Sequence, residues 1–152
     1  MQITDIKIRK FFDENFTNLT WTCEICGKEF ETKEQLDDIG SEEFPLLKSY
    51  KLVQDIDLKS FDNWTPIGDS VTPFSGNFDG NNKLISNMKI TSGNNVGLFG
   101  EISSTSVVSN VLLSNAIIEG SFDNAGGIAG INNGTIRHCE VSDLRLTNNK
   151  DN

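Results

Sequence analysis

One six-residue pattern constrains this chain more than any other feature, because it recurs three times. Ile85-Ser86-Asn87-Met88-Lys89-Ile90, Val108-Ser109-Asn110-Val111-Leu112-Leu113 and Ile136-Arg137-His138-Cys139-Glu140-Val141 are each apolar at positions one, four and six, at separations of 23 and 28 residues. A second element, Val96-Gly97-Leu98-Phe99-Gly100, is answered 30 residues on by Gly126-Gly127-Ile128-Ala129-Gly130. The two-residue difference between these spacings belongs in a loop. A unit this short cannot bury its own apolar edge, so it gains a core only by stacking on its neighbours.

Apolar residues at positions one, four and six break the strict alternation of a flat strand, and the residue at position three accounts for the break. Asn tolerates the left-handed backbone region and bonds to its neighbours, so it turns a corner between two inward-facing side chains. The repetition therefore predicts that Asn87 and Asn110 stack as a short ladder with His138 as its third rung. The fold expected is all-β: a short right-handed parallel β-helix of three to four coils over residues 50–152. Upstream, Thr32 with Gln35 forms a capping-box pattern and Leu36 and Ile39 make an apolar stripe that Gly40 ends, which predicts a capping helix and linker over 31–49. Residues 3–8 and 16–25 read as short strands around a turn at Asp13-Glu14-Asn15, giving a β-hairpin extension over 1–30.

The stretch Tyr50–Leu58, then Trp64-Thr65-Pro66-Ile67-Gly68, then Phe74–Met88, resembles the GLUG-type bacterial β-helix repeat. Val96–Gly100 and Gly126–Gly130 match that family's glycine-bearing strand, and Phe30–Leu36 resembles the short helix found just before its first coil. The resemblance covers about residues 30–146. It implies a β-helix of the kind carried by large bacterial surface proteins, adhesin-like proteins and non-catalytic regions of peptidases among them.

Charge sorts the partner classes. The chain of 152 residues has a formal net charge of -9 and a pI near 4.5, so its field repels phosphate backbones and attracts cations and basic protein surfaces. Direct nucleic-acid binding is disfavoured. Seven acids crowd one window, Glu29, Glu31, Glu34, Asp37, Asp38, Glu42 and Glu43, opposed there only by Lys33. They are the candidate contact surface for a basic protein partner, set against the plainer reading of a solvated helix face. No run of 18 apolar residues and no apolar segment followed by a small-residue cleavage site occurs. A cytoplasmic protein without a membrane contact is expected on that basis, or a cell-surface location if the chain is a fragment of a secreted protein.

Candidate chemistry is sparse. Cys23 and Cys26 form a C-x-x-C followed by Gly27, the first half of a structural zinc site, with no second pair of ligands nearby in sequence. Completing it would take His138 or Cys139, or the same cysteines of a second chain. Cys139 stands where Met88 and Val111 stand in the sister segments, which fits a buried apolar thiol. One histidine, His138, gives no basis for a catalytic triad. Asp55 and Asp57, two apart on a strand, have the acid pairing of sugar-cleaving β-helices but no Arg or His cluster beside them. Gly97, Gly100, Gly126, Gly127 and Gly130 fit close coil packing, since no helix pattern follows them. Asp79-Gly80-Asn81-Asn82 lacks the spaced acids of a calcium loop. Trp64 next to Pro66 is a candidate for carbohydrate stacking, though its place in the repeat motif points instead to the edge of the first coil.

These features point to a non-enzymatic protein-binding module. Two forms are expected: an acidic inhibitor of the anti-CRISPR or anti-restriction type that blocks a basic nucleic-acid-binding groove, or a fragment of a bacterial surface adhesin or host-binding repeat protein. The exposed strand edges at a solenoid end, or the C-x-x-C, would also allow a homodimer.

Overall fold

The computed structural model describes residues 28–150 and is almost entirely parallel β-structure wound into about four turns. The first rung opens with β1 (Lys28–Phe30), followed by the one-turn helix α1 (Lys33–Asp37). The next coil holds β2 (Tyr50–Leu52) and β3 (Ile56–Asp57). The third is the first full one, with β4 (Asn77–Asp79), β5 (Leu84–Ser86), β6 (Lys89–Ile90), β7 (Asn95–Val96) and β8 (Phe99–Ile102). The fourth repeats it with β9 (Val107–Ser109), β10 (Leu112–Ser114), β11 (Ile117–Gly120), β12 (Asn124–Ala125) and β13 (Ala129–Asn132). A last rung adds β14 (Thr135–Arg137), β15 (Glu140–Ser142) and β16 (Arg145–Asn148).

Every strand pairs in parallel with the strand one coil away, and the longest sheet runs β1-β2-β4-β9-β14. Side chains at paired positions form columns through the core. Tyr50, Phe78, Val108 and Ile136 make one, and Ile56, Ile85, Leu113 and Val141 another. A third is Ile90, Ile118 and Leu146. Aromatic rings fill the N-terminal half, where Phe30 stacks on Tyr50 at 4.9 Å and Phe74 meets Phe99 at 5.0 Å between centroids. Aliphatic residues dominate the C-terminal half, with Phe122 buried among them.

The coils stack as the repetition predicts, but the register differs from the one the repetition suggests. Ile85 stacks on Leu113 and Val141, whereas Val108 stacks on Phe78 and Ile136. The spacing of 23 is therefore one 28-residue coil less a five-residue step, because the fourth coil carries the apolar-Ser-Asn-apolar pattern twice in tandem: Val108-Ser109-Asn110-Val111-Leu112, then Leu113-Ser114-Asn115-Ala116-Ile117. Asn87 accordingly does not stack on Asn110. Asn115 donates to Asn87 at 2.5 Å and Asn87 donates to Asp57 at 2.8 Å, while Asn110 donates to Asp79 at 2.9 Å in a separate column. All these corner residues adopt the left-handed region, Asn87 at φ 62°, Asn110 at 56° and Asn115 at 52°. His138, at φ 52°, takes the corner one coil beyond Asn110, and Asp143, at 51°, the one beyond Asn115.

The two-residue spacing difference is found in loops. The offset is 28 between β11 and β6, 29 between β12 and β7 and 30 between β13 and β8. It returns to 28 at β14 because the link Ser103–Ser106 in one coil is matched by only Asn133-Gly134 in the next. Glycines allow the coils to close up. A Cβ at Gly100 would lie 2.3 Å from the carbonyl oxygen of Gly68 in the coil before, which no side chain tolerates.

The helix forms where the capping box places it. Thr32 accepts from the Gln35 amide at 3.3 Å and Gln35 Oε1 accepts from the Thr32 amide at 3.1 Å, which satisfies two donors that the helix leaves over. Leu36 and Ile39 are buried and Gly40 turns away at φ 114°. Because β1 precedes the helix and pairs in register with β2, the parallel sheet already runs at Lys28, before the helix. The hairpin expected over residues 3–25 lies outside the described residues.

Candidate functional site

Regular stacking leaves chemistry to the outward faces and corners. Among the described residues no cluster of three or more His, Cys, Asp or Glu could hold a metal. Cys23 and Cys26 lie outside the described residues. Cys139 is half-buried against the core, with Sγ 3.3 Å from the Arg137 carbonyl, and burial pushes its thiol above the usual range. It lies one coil beyond Val111, as the repeat suggests, while Met88 belongs to the column of Ala116 and Leu144. His138 is exposed.

The acid pair is spent on architecture. Asp55 accepts from the Leu84 amide at 2.8 Å, which ties one coil to the next. Asp57 accepts from Asn87 at 2.8 Å and from the Lys59 amide at 2.9 Å, and those bonds hold its carboxyl below the usual range. A general acid needs the opposite shift. Asp79 likewise caps its own turn, accepting from the Asn81 amide at 2.8 Å. Trp64 is fully buried with its indole N–H donated to the Leu98 carbonyl at 3.2 Å, so it offers no stacking surface.

All seven acids from Glu29 to Glu43 are exposed at the N-terminal end, around α1. Partial burial, with Asp38 and Glu34 beside it, raises the Asp37 carboxyl above its ordinary value, a sign of crowded negative charge.

Among the described residues, two grooves are found on the outer wall. The wider, of about 630 Å³, lies between Leu46 and the loop Thr65–Thr72, whose Val71 is 87% exposed. Asp69 holds that loop by accepting from the Val71 and Thr72 amides at 2.9 and 2.7 Å, bonds that hold its carboxyl below the usual range. The narrower groove, of about 350 Å³, crosses successive coils and is lined by Lys59, Phe61, Asn87, Lys89 and Asn115 among others. Neither was visible in the sequence, since each is made by residues from different coils.

The C-terminal rung differs from those below it. Leu113, Ala116 and Ile118 are at most 1% exposed, but Val141, Leu144 and Leu146, one coil on, are exposed to 37%, 36% and 40%. Their core-facing columns stop open.

The fold and these surfaces define a stackable parallel β-solenoid. Two relatives carry similar sequence. A stretch of 115 residues is 36% identical to halomucin of Haloquadratum walsbyi, covering 67% of this chain and 1% of that protein. One of 101 residues is 38% identical to a putative Gly-rich membrane protein of Evansella cellulosilytica, covering 60% of this chain and 12% of that protein. The chain thus matches only a small part of each. No family model and no solved structure matches it. Among the described residues no helix is long and apolar enough to cross a membrane.

Proposed function

We propose that this chain is a non-catalytic coil array of a cell-surface protein, a rigid wall that carries binding groups outward. The observation that carries the reading is the C-terminal rung, where Val141, Leu144 and Leu146 continue columns that are sealed one coil earlier. Apolar columns left open on an outer rung offer a surface that a further coil, of this chain or of another, can cover. The two relatives support the surface assignment, one by a name that makes it a mucin and the other by a name that makes it a membrane protein, both far longer than this chain. The GLUG-like motifs at Tyr50–Leu58, Trp64–Gly68 and Phe74–Met88 agree with it, since those repeats belong to large surface proteins.

The test is accessibility in the native cell. An epitope placed in the exposed loop at Val71, within the native gene, should be labelled by antibody and cut by added protease on intact cells. Protection until the cells are lysed would overturn the surface reading.

A second reading concerns the N-terminal end, where the exposed acids and the raised Asp37 carboxyl favour contact with a basic protein. Such contact should weaken steadily as salt is added, because exposed charges are screened beyond about 8 Å at physiological ionic strength. Binding that ignores salt would refute it.

A further inference from the structure

We propose that the wide groove between Leu46 and the loop Thr65–Thr72 seats an extended, basic segment of a partner protein, which adds as a third strand to the sheet β12-β7. The groove exists because the second coil takes a shortcut. Its Trp64 amide donates to the Lys89 carbonyl at 2.7 Å and its Ile67 amide to the Leu98 carbonyl at 3.0 Å. Between those anchors the second coil has only Thr65 and Pro66, whereas the third has the whole stretch Ile90–Gly97 and builds β7 within it. The fourth coil repeats the excursion in β12, which pairs with β7 in register. That sheet therefore stops at two strands, while the sheets through β4 and β5 run on into the second coil.

A strand edge without a neighbour is a template for one. Asn95 of β7 lines the groove, and so does Pro66, which has no N–H with which to close the gap. With rungs about 4.8 Å apart, the place that the second coil leaves is one strand wide. Ile39 and Leu46 from the linker after α1 stand on one side of it, and Val71, 87% exposed, stands on the other. An extended segment entering there finds main-chain partners along β7 and apolar cover for every second side chain, the two contributions that strand addition combines.

Charge selects the partner. No lysine or arginine lines the groove, and Asp69 does. The turn that carries Ile39, Gly40 and Leu46 adds Asp37, Asp38, Glu42 and Glu43, with one lysine, Lys48, close behind. On the far side the Asp123 amide donates to the Asn94 carbonyl, and its carboxylate is paired with Lys150. Lys33 is turned away to Ser60, Phe61 and Glu34. Six acids beside two lysines leave an excess of four negative charges around the groove. A short segment with Lys or Arg at alternate positions and apolar residues between them matches both that charge and the walls. The inference rests on the basic-partner reading of the N-terminal end and gives that partner a defined seat.

The experiment is calorimetric titration of the full chain with three short peptides: one that alternates Lys and Val, one that alternates Glu and Val, and the Lys-Val peptide N-methylated along its backbone. The methylated form keeps charge and side chains but cannot pair as a strand. The plain Lys-Val peptide is expected to bind, with each of the others weaker by about tenfold or more. Thr65→Trp, which fills the groove from an exposed position, should weaken binding by about tenfold while the melting temperature holds. Asp38→Asn with Glu42→Gln should weaken it about fivefold, whereas Glu140→Gln with Asp143→Asn, an equal change of charge on the last rung, should alter it less than about twofold. No binding of the Lys-Val peptide, equal binding of its methylated or acidic counterpart, equal loss in both acid pairs, or indifference to Thr65→Trp would each overturn the inference. So would self-association of the chain that Thr65→Trp abolishes, because the groove would then belong to a second copy. If the Lys-Val peptide binds and salt releases it, yet it ignores both Thr65→Trp and methylation, the groove falls and the basic-partner reading stands. If it does not bind even at low salt, both fall.

Discussion

Removing one side chain from a closed rung and one from the open rung of the same column should give unequal losses. Ile118 lies between Ile90 and Leu146 in register and is fully buried. Ile118→Ala deletes three carbons from a site walled above and below, so it loses the transfer energy and leaves a cavity, about 3 kcal/mol together. Leu146 is 40% exposed on the last rung. Leu146→Ala loses only the buried share of a transfer term of roughly 1.5–3 kcal/mol, and water fills the notch, so the loss is about 1 kcal/mol. Urea unfolding followed by circular dichroism at a shared slope resolves a gap of about 2 kcal/mol. The total stability expected for a domain, roughly 5–15 kcal/mol, leaves both variants folded. Equal losses would mean that the last rung is covered, and the column account would be wrong. The same contrast holds between Leu113→Ala and Val141→Ala, with Leu113 1% and Val141 37% exposed.

Gly100→Ala should destabilise strongly, by about 2–4 kcal/mol in thermal or urea melts, because its Cβ would sit 2.3 Å from the Gly68 carbonyl and the coils must part to admit it. A neutral Gly100→Ala would show that the coils are not in close contact there. Thr32→Ala should cost about 1 kcal/mol by removing the cap that the Gln35 amide donates to, and restoring Ser at that position should recover most of it. Asp57 and Asp69 have folded-state pKa values below their unfolded ones, so their stabilisation is present above about pH 4 and is lost as pH falls through the folded values. Asp37 runs oppositely, since its raised folded value makes protonation favour the fold as pH falls. Asp57→Asn with Asp69→Asn should therefore flatten the loss of melting temperature between pH 5 and about pH 2.5, and an unchanged acid profile would refute the assignment.

The coil architecture is legible in the sequence because stacking forces like residues onto like positions. The exact register is not, because the motif is five residues deep and occurs twice in the fourth coil. Ile85 resembles Val108 as closely as it resembles Leu113, and only hydrogen bonding between coils distinguishes the two alignments. The capping helix is legible because its signals are local: Thr32 and Gln35 are three residues apart and find each other without help from the fold. By contrast Phe61, Lys59, Lys89 and Asn115 are drawn together from three coils, and nothing in the chain near any one of them announces the others. Of the two readings of Trp64, stacking on carbohydrate fails and a place in the coil holds, since an aromatic beside a proline reads the same whether its ring points in or out.

In such a fold the core and the surface draw on different sequence positions, and this explains how an unbroken wall can still carry a site. Inward columns such as Ile56, Ile85, Leu113 and Val141 carry the burial energy, and corner residues such as Asp57, Asn87 and Asn115 satisfy the chain's turns. Outward positions take no part in these columns, although some, such as Asp55, tie one coil to the next. Lys89 and Ile117 are adjacent in register on the outer side of one sheet, yet neither belongs to a core column. Substitutions there should change what the wall binds while the melting temperature stays put, whereas substitutions in the columns should do the reverse. A variant set in which affinity and stability moved together across both classes would show that this division is false.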